Sequence, residues 1–191
     1  MNIQRLSAVL LIASFVFPLV ISFLVGVPGF YQTQDFAERV RLANEYRARW
    51  NAENILNYLI FLLSTVGVGL LSVHLRRSGA SLTATLGALA YAIGSFFYAL
   101  VIFMRDADMV GYFEGKYPDY HGFGNWFVLV GLFLFGVSFL QVGFPAWLSY
   151  LTIGAALVMA AVLLIWPAFF FSIPFLTIGL LLVIGIVVLR R

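Results

Sequence analysis

The sequence has 191 residues, of which 63% are hydrophobic and only 10% charged, against roughly 25% charged in a soluble domain. No water-soluble core of this size uses that much apolar surface, so the composition points to one multi-span membrane domain, residues 1–191. The absence of cysteine excludes disulfides, thiolate metal sites and catalytic thiols, and the net charge of +3 comes without a basic run suited to nucleic acid.

A helix needs about 20 residues to cross roughly 30 Å of hydrocarbon, and open strands cannot satisfy their backbone in lipid. Six segments qualify: 6–27, 55–73, 82–104, 126–142, 147–165 and 168–189. The first carries Arg5 as a charged head, as a signal peptide would. Its apolar stretch is too long for one and no convincing cleavage site precedes Pro28, so it reads as a span. Pro18 and Pro174 predict kinks in the first and sixth spans. The expected fold class is all-α: a polytopic membrane protein with six transmembrane helices and one amphipathic outer helix.

Charge divides cleanly between the links. Arg5, Arg76, Arg77, Arg190 and Arg191 flank one set of span ends, with no acid among them. All eight acidic residues fall on the other side, together with Arg39, Arg41, Arg47, Arg49, Arg105 and Lys116. The positive-inside rule then predicts a multi-pass protein of the inner (plasma) membrane with both termini cytoplasmic. On this reading residues 28–54 and 104–126 face outward.

The first outer segment, "TQDFAERVRLANEYRARWNAEN", predicts an amphipathic helix over 30–52. Phe36, Val40, Ala43 and Trp50 share one face. Asp35/Arg39 and Glu45/Arg49 are acid-before-base pairs four apart, and Thr33 is the expected N-cap. Such a helix rests at headgroup level or closes over an outward cavity. No breaker separates Trp50 from Ile55, so it can run straight into the second span.

The second outer segment, 105–125, reads as an extracytoplasmic loop. Its Asp106, Asp108, Asp119 and His121 match no metal-loop spacing and read as solvated loop charges, so no metal is expected. Gly111, Gly115, Pro118, Gly122 and Gly124 argue for turns. Met109, Tyr112, Phe113 and Tyr117 are apolar enough to pack back onto the headgroups or the first outer helix.

One constellation gathers at the outer boundary. Glu53, Asn54 and Asn57 open the second span, Arg105 and Asp106 close the third, and His121 and Asn125 open the fourth. A guanidinium at the hydrocarbon edge wants a carboxylate, here Glu53 or Asp106. The cluster is either a structural clamp on helix ends or the polar floor of a ligand pocket. The spans themselves carry no charge at mid-depth, no buried lysine and no hydrolase motif, so neither a catalytic group nor a cofactor is expected. His74 and His121 stand at opposite ends and cannot share a haem. Ala84, Ala88 and Ala92, Ala156 and Ala160, and Gly67 and Gly69 are the small residues expected to let helices approach.

"ENILNYLIFLLSTVGVGLLSVHLRR" and "YPDYHGFGNWFVLVGLFLFG" resemble the second and fourth spans of small bacterial six-span membrane protein families of unassigned function. Size, span number and the long first outer loop are also similar in layout to the substrate-binding components of energy-coupling-factor vitamin transporters. The Ala-x-x-x-Ala motif of their first span is not matched, since Ala8 is followed by Ile12 four residues on. The expected function is non-enzymatic: binding of a protein partner or a lipid-like ligand at the extracytoplasmic face. The alternative is a substrate-binding subunit of a vitamin-type transporter. Expected partners are the lipid bilayer and a membrane protein or second copy, with no nucleic acid.

Overall fold

Apolar segments without the polar–apolar alternation of a half-buried strand fold here as helices, and all regular structure among the described residues is helical. The computed structural model describes every residue except 1, 34, 167, 168, 170 and 171. In chain order the helices are α1 (Ile3–Val20), α2 (Phe36–Glu45), α3 (Arg47–Arg77), α4 (Ser81–Ala107), α5 (Met109–Phe113), α6 (Tyr120–Gln141), α7 (Ala146–Ile165) and α8 (Ile173–Leu189). Five are long and apolar enough to cross a membrane: α1 with the π turn that follows it, α3, α4, α6 and α7. This is consistent with a multi-pass membrane protein. The remaining apolar helix, α8, has 17 residues, about 26 Å of rise.

The long helices pack in the order α8, α1, α3, α4, α6, α7, while α7 and α8 touch only slightly among the described residues. One apolar core runs through all six, from Leu11 and Leu71 through Leu132 and Phe135 to Leu148 and Leu181. Glycines set the approach. A Cβ at Gly94 would stand 2.7 Å from the Gly124 carbonyl, and one at Gly131 would stand 2.9 Å from that of Gly87. Gly87 and Gly94 on α4 thus face Gly124 and Gly131 on α6, each pair seven residues apart, and the two backbones nearly touch. The alanines expected to do this behave differently. Ala84 is fully buried, but Ala92 lines an open groove between α3 and α4.

Both termini lie at one end of the bundle. The Gln4 side chain donates to the Val188 carbonyl at 2.9 Å, and Arg191 donates to the Gly143 carbonyl at 2.8 Å while covering the Phe144 ring. The Arg76–Arg77 turn ends α3 at this same end, because Ser7 bonds α3 at Gly67. The opposite, loop end carries α2, α5 and all the acids.

Several local expectations change. The helix predicted over 30–52 is two helices: α2 ends where Tyr46 leaves helical geometry (ψ 39°). Residues 47–52 are instead the first turns of α3, which then runs unbroken for 31 residues. Asp35 rather than Thr33 caps α2, accepting from the Ala37 amide at 3.0 Å; Thr33 Oγ1 accepts one turn earlier, from the Asp35 amide. The Asp35/Arg39 and Glu45/Arg49 pairs do not form. Arg41 reaches Glu38 and Glu45 at 2.7 and 2.5 Å, leaving Arg39 to donate to the Thr33 carbonyl. Pro174 does not kink a helix. It occupies the first turn of α8, where its missing N–H has no partner to lose. The expected start of the sixth span, residue 168, lies outside the described residues. Pro18 sits inside α1, which passes into a π turn at Ile21–Val25.

Candidate functional site

The loop end is roofed. Val27, Phe30, Leu42, Ala43, Trp50 and Met109 form a small apolar cluster, with Val40, Tyr46 and Phe113 against it. Gly29 adopts φ 76° to turn the chain after α1, which sets Phe30 on the Trp50 ring at 5.0 Å. Arg39 lies over the Phe30 and Phe113 rings at 5.9 and 5.8 Å. Of the face expected for the amphipathic helix, Val40, Ala43 and Trp50 turn inward; Phe36 stays exposed but stacks on Phe113 at 5.8 Å.

Beneath this roof lies the polar cluster. Glu53 is completely buried, and its Oε1 accepts from the Tyr31 hydroxyl. Tyr31 as a residue is 64% exposed, but its hydroxyl reaches inward to the Glu53 carboxylate. Withdrawal from solvent pushes the Tyr31 phenol well above its usual range, with Arg105 opposing and Glu53 adding. Tyr31 therefore keeps its proton and acts as donor.

Arg105 is not ion-paired with Glu53 or Asp106, contrary to the sequence expectation. Its Nη2 donates to Asn54 Oδ1 at 2.5 Å, and its guanidinium lies 4.5 Å from the Trp50 ring centre. Asn54 Nδ2 in turn donates to Asp106 Oδ1 at 3.2 Å, as does Trp50 Nε1 at 3.2 Å. The amide of Asn54 thus stands between cation and anion, using its acceptor on one and its donor on the other. Asp106 takes Arg47 as its ionic neighbour, at 3.7 Å. The arrangement follows from length: Asp106 sits at the rim, half exposed, while the stem of Arg105 folds back over the indole. Two buried atoms of this cluster, Glu53 Oε2 and Arg105 Nε, have no hydrogen-bond partner among the described residues.

The other predicted residues fall into a neighbouring group. Asn125 is fully buried and accepts from the Tyr98 hydroxyl. The half-buried His121 meets the Tyr98 ring edge-on at 5.7 Å, and Phe61 of α3 stacks on the same ring at 4.9 Å. Asn57, one turn below Glu53, is half-buried. Among the described residues no three His, Asp or Glu gather as a metal site. Two carboxylates of the second outer segment cap helices: Asp108 accepts from the Gly111 amide and Asp119 from the Gly122 amide, both at 2.9 Å.

Tyr31 and Tyr98 are the participants that sequence reasoning missed. Tyr98 stands seven residues before Arg105, on the same face of α4, which was a readable signal. Tyr31 lies in a turn, where no periodicity marks direction.

No protein-family model, curated protein or solved structure matches the chain. Function therefore rests on the geometry alone. Its second element is the groove between α3 and α4, about 520 Å³, walled by Ile55, Tyr58, Leu59, Phe61, Leu62, Thr65, Ala92, Ser95, Phe96 and Ala99. The two helices are tied at both ends. Ser72 donates to the Ala84 carbonyl at 2.8 Å near the terminal end, and the Asn54–Asp106 hydrogen bond closes the loop end. Between these ties the groove lies open, and the hydroxyls of Thr65 and Ser95 on its walls have no partner among the described residues.

Proposed function

We propose that this chain is a non-enzymatic, six-span protein of the inner membrane, with both termini cytoplasmic, that binds a lipid-like ligand at its extracytoplasmic face. One observation carries the reading: beneath the roof of α2 and α5, the buried Glu53 Oε2 and Arg105 Nε have no hydrogen-bond partner among the described residues. Leaving such atoms unpaired costs about 1–3 kcal/mol each, more when charged, so a ligand group that reaches them lowers that cost. An open apolar groove beside the cluster favours an amphiphile over a small polar substrate. The five arginines clustered at the terminal end, without acids, support the cytoplasmic placement. The apolar character of α8 supports a sixth crossing.

The test is thermal unfolding of delipidated protein in one detergent as phospholipid is added back. The melting temperature rises with lipid, and the rise shrinks in Glu53→Gln and Arg105→Gln. A melting temperature indifferent to lipid refutes the reading. Reporter fusions at residues 78 and 115 check the orientation and should report opposite sides.

A further inference from the structure

We infer that the α3–α4 groove seats one acyl chain of a zwitterionic amine phospholipid, with its phosphate at Arg47 and its ammonium at Asp106. The inference rests on the ligand-binding reading above and gives the ligand its chemistry.

The two walls of the groove are continuous with the polar cluster. Asn54, Tyr58, Phe61 and Thr65 form one stripe of α3, spaced four, three and four apart. On α4, Ala92, Ser95, Ala99 and Asp106 form the matching stripe, spaced three, four and seven. Both stripes therefore point from the middle of the bundle toward the Asn54–Asp106 hydrogen bond, which ties α3 to α4 just beyond the groove's loop-end mouth. Tyr58, at the lip, lies in the fields of both Asp106 and Arg105.

Length and charge then select the occupant. From Asn54 to Thr65 is about 16 Å of helix rise, close to half of the roughly 30 Å hydrocarbon, which is the reach of a tail in one leaflet. The walls are nearly all apolar, and Ala92, Ser95 and Ala99 keep α4 from filling the space. At the mouth, Arg47 and Asp106 are each about half exposed and stand 3.7 Å apart, with 48% and 45% of their side chains accessible. That pair is loose and presents one cation and one anion side by side. A phosphate with an ammonium a short tether away matches both, whereas a purely anionic head meets Asp106 as a like charge.

The experiment is native mass spectrometry of the protein released from vesicles of equal phosphatidylethanolamine and phosphatidylglycerol. The unaltered chain retains one phosphatidylethanolamine in preference to phosphatidylglycerol. Ala99→Leu, which fills the groove, lowers retention by about tenfold or more; Ala92→Leu repeats the block at the far end. Asp106→Asn keeps a lipid bound but loses the preference for the amine head, and this decides the matter if the blocking variants fail to fold. Equal retention of both lipids, or retention untouched by blocking, overturns the inference. A chain dimer that Ala99→Leu disrupts would assign the groove to a second copy instead. If lipid retention falls in Glu53→Gln but not in the blocking variants, ligand binding stands and only the groove assignment fails. If no lipid is retained at all, both fall.

Discussion

Helix α4 shows two opposite uses of small residues. Toward α6 it offers Gly87 and Gly94, and the backbones meet so closely that added Cβ atoms would strike carbonyl oxygens. Toward α3 it offers Ala92, Ser95 and Ala99, and there the helices leave a groove of about 520 Å³. The difference lies in the partner. α6 answers glycine with glycine at the same seven-residue spacing, so nothing stands between the axes. α3 answers with Tyr58, Phe61 and Thr65, and both ends of the seam are held by hydrogen bonds. Small residues in a membrane helix permit approach; whether approach occurs depends on what faces them.

The sharpest way to break this comparison is to add the same carbon to each face. At Gly94 a Cβ would lie 2.6 Å from Val128 Cγ2 and 2.7 Å from the Gly124 carbonyl. Gly94→Ala should cost about 2–3 kcal/mol, and Gly94→Leu should prevent folding. Ala99→Leu should stay within about 0.5 kcal/mol. Thermal unfolding of the variants in one detergent reads this directly, and equal losses on the two faces would erase the distinction.

The tie that closes the α3–α4 seam comes next. Asn54→Leu removes the acceptor of Arg105 and a donor of Asp106 together, and should cost about 2–3 kcal/mol. In a double-mutant cycle Asn54 should couple strongly to Arg105. Direct coupling of Arg105 to Asp106, with Asn54 indifferent, would restore the simple ion pair. Trp50→Phe keeps a ring under the guanidinium but deletes the indole N–H donated to Asp106. It should cost about 1 kcal/mol, less than Asn54→Leu in the same assay.

The smallest effect belongs to the roof and is read by pH. The Gly111 amide, and then the Tyr117 hydroxyl, hold the Asp108 carboxyl below its ordinary value. A lowered folded pKa contributes stability that is complete above the unfolded value, about 3.9, and is lost as pH falls through the folded one. Amide exchange in α5 should therefore quicken as pH drops below about 4, after correction for intrinsic rates. Asp108→Asn should flatten that dependence. An unchanged profile would detach Asp108 from α5.

Much of this was written in the sequence. Apolar runs of about twenty residues marked the long helices. The spacing of Val40, Ala43 and Trp50 marked the face that turns inward at the loop end. Glu53, Asn54, Arg105 and Asp106 were readable as neighbours because they stand at helix ends that a bundle must bring to one level. Their pairing was not readable. A side-chain reach of several ångströms lets Arg105 choose among partners, and the choice fell on Asn54 and an indole rather than a carboxylate. The break at Tyr46 escaped notice too, since no Gly or Pro marks it and the apolar face continues across.

Hydrophobic content, charge asymmetry and the approximate extent of the long apolar helices are properties of segments, and the sequence determined them because each segment answers to its solvent independently of its neighbours. Which glycines meet, where α3 and α4 stand apart, and which atoms of Glu53 and Arg105 lack a hydrogen-bond partner among the described residues depend on the rotation and depth of one helix against another. Side-chain packing and a few hydrogen bonds between distant residues set those, and only the tertiary structure decided them.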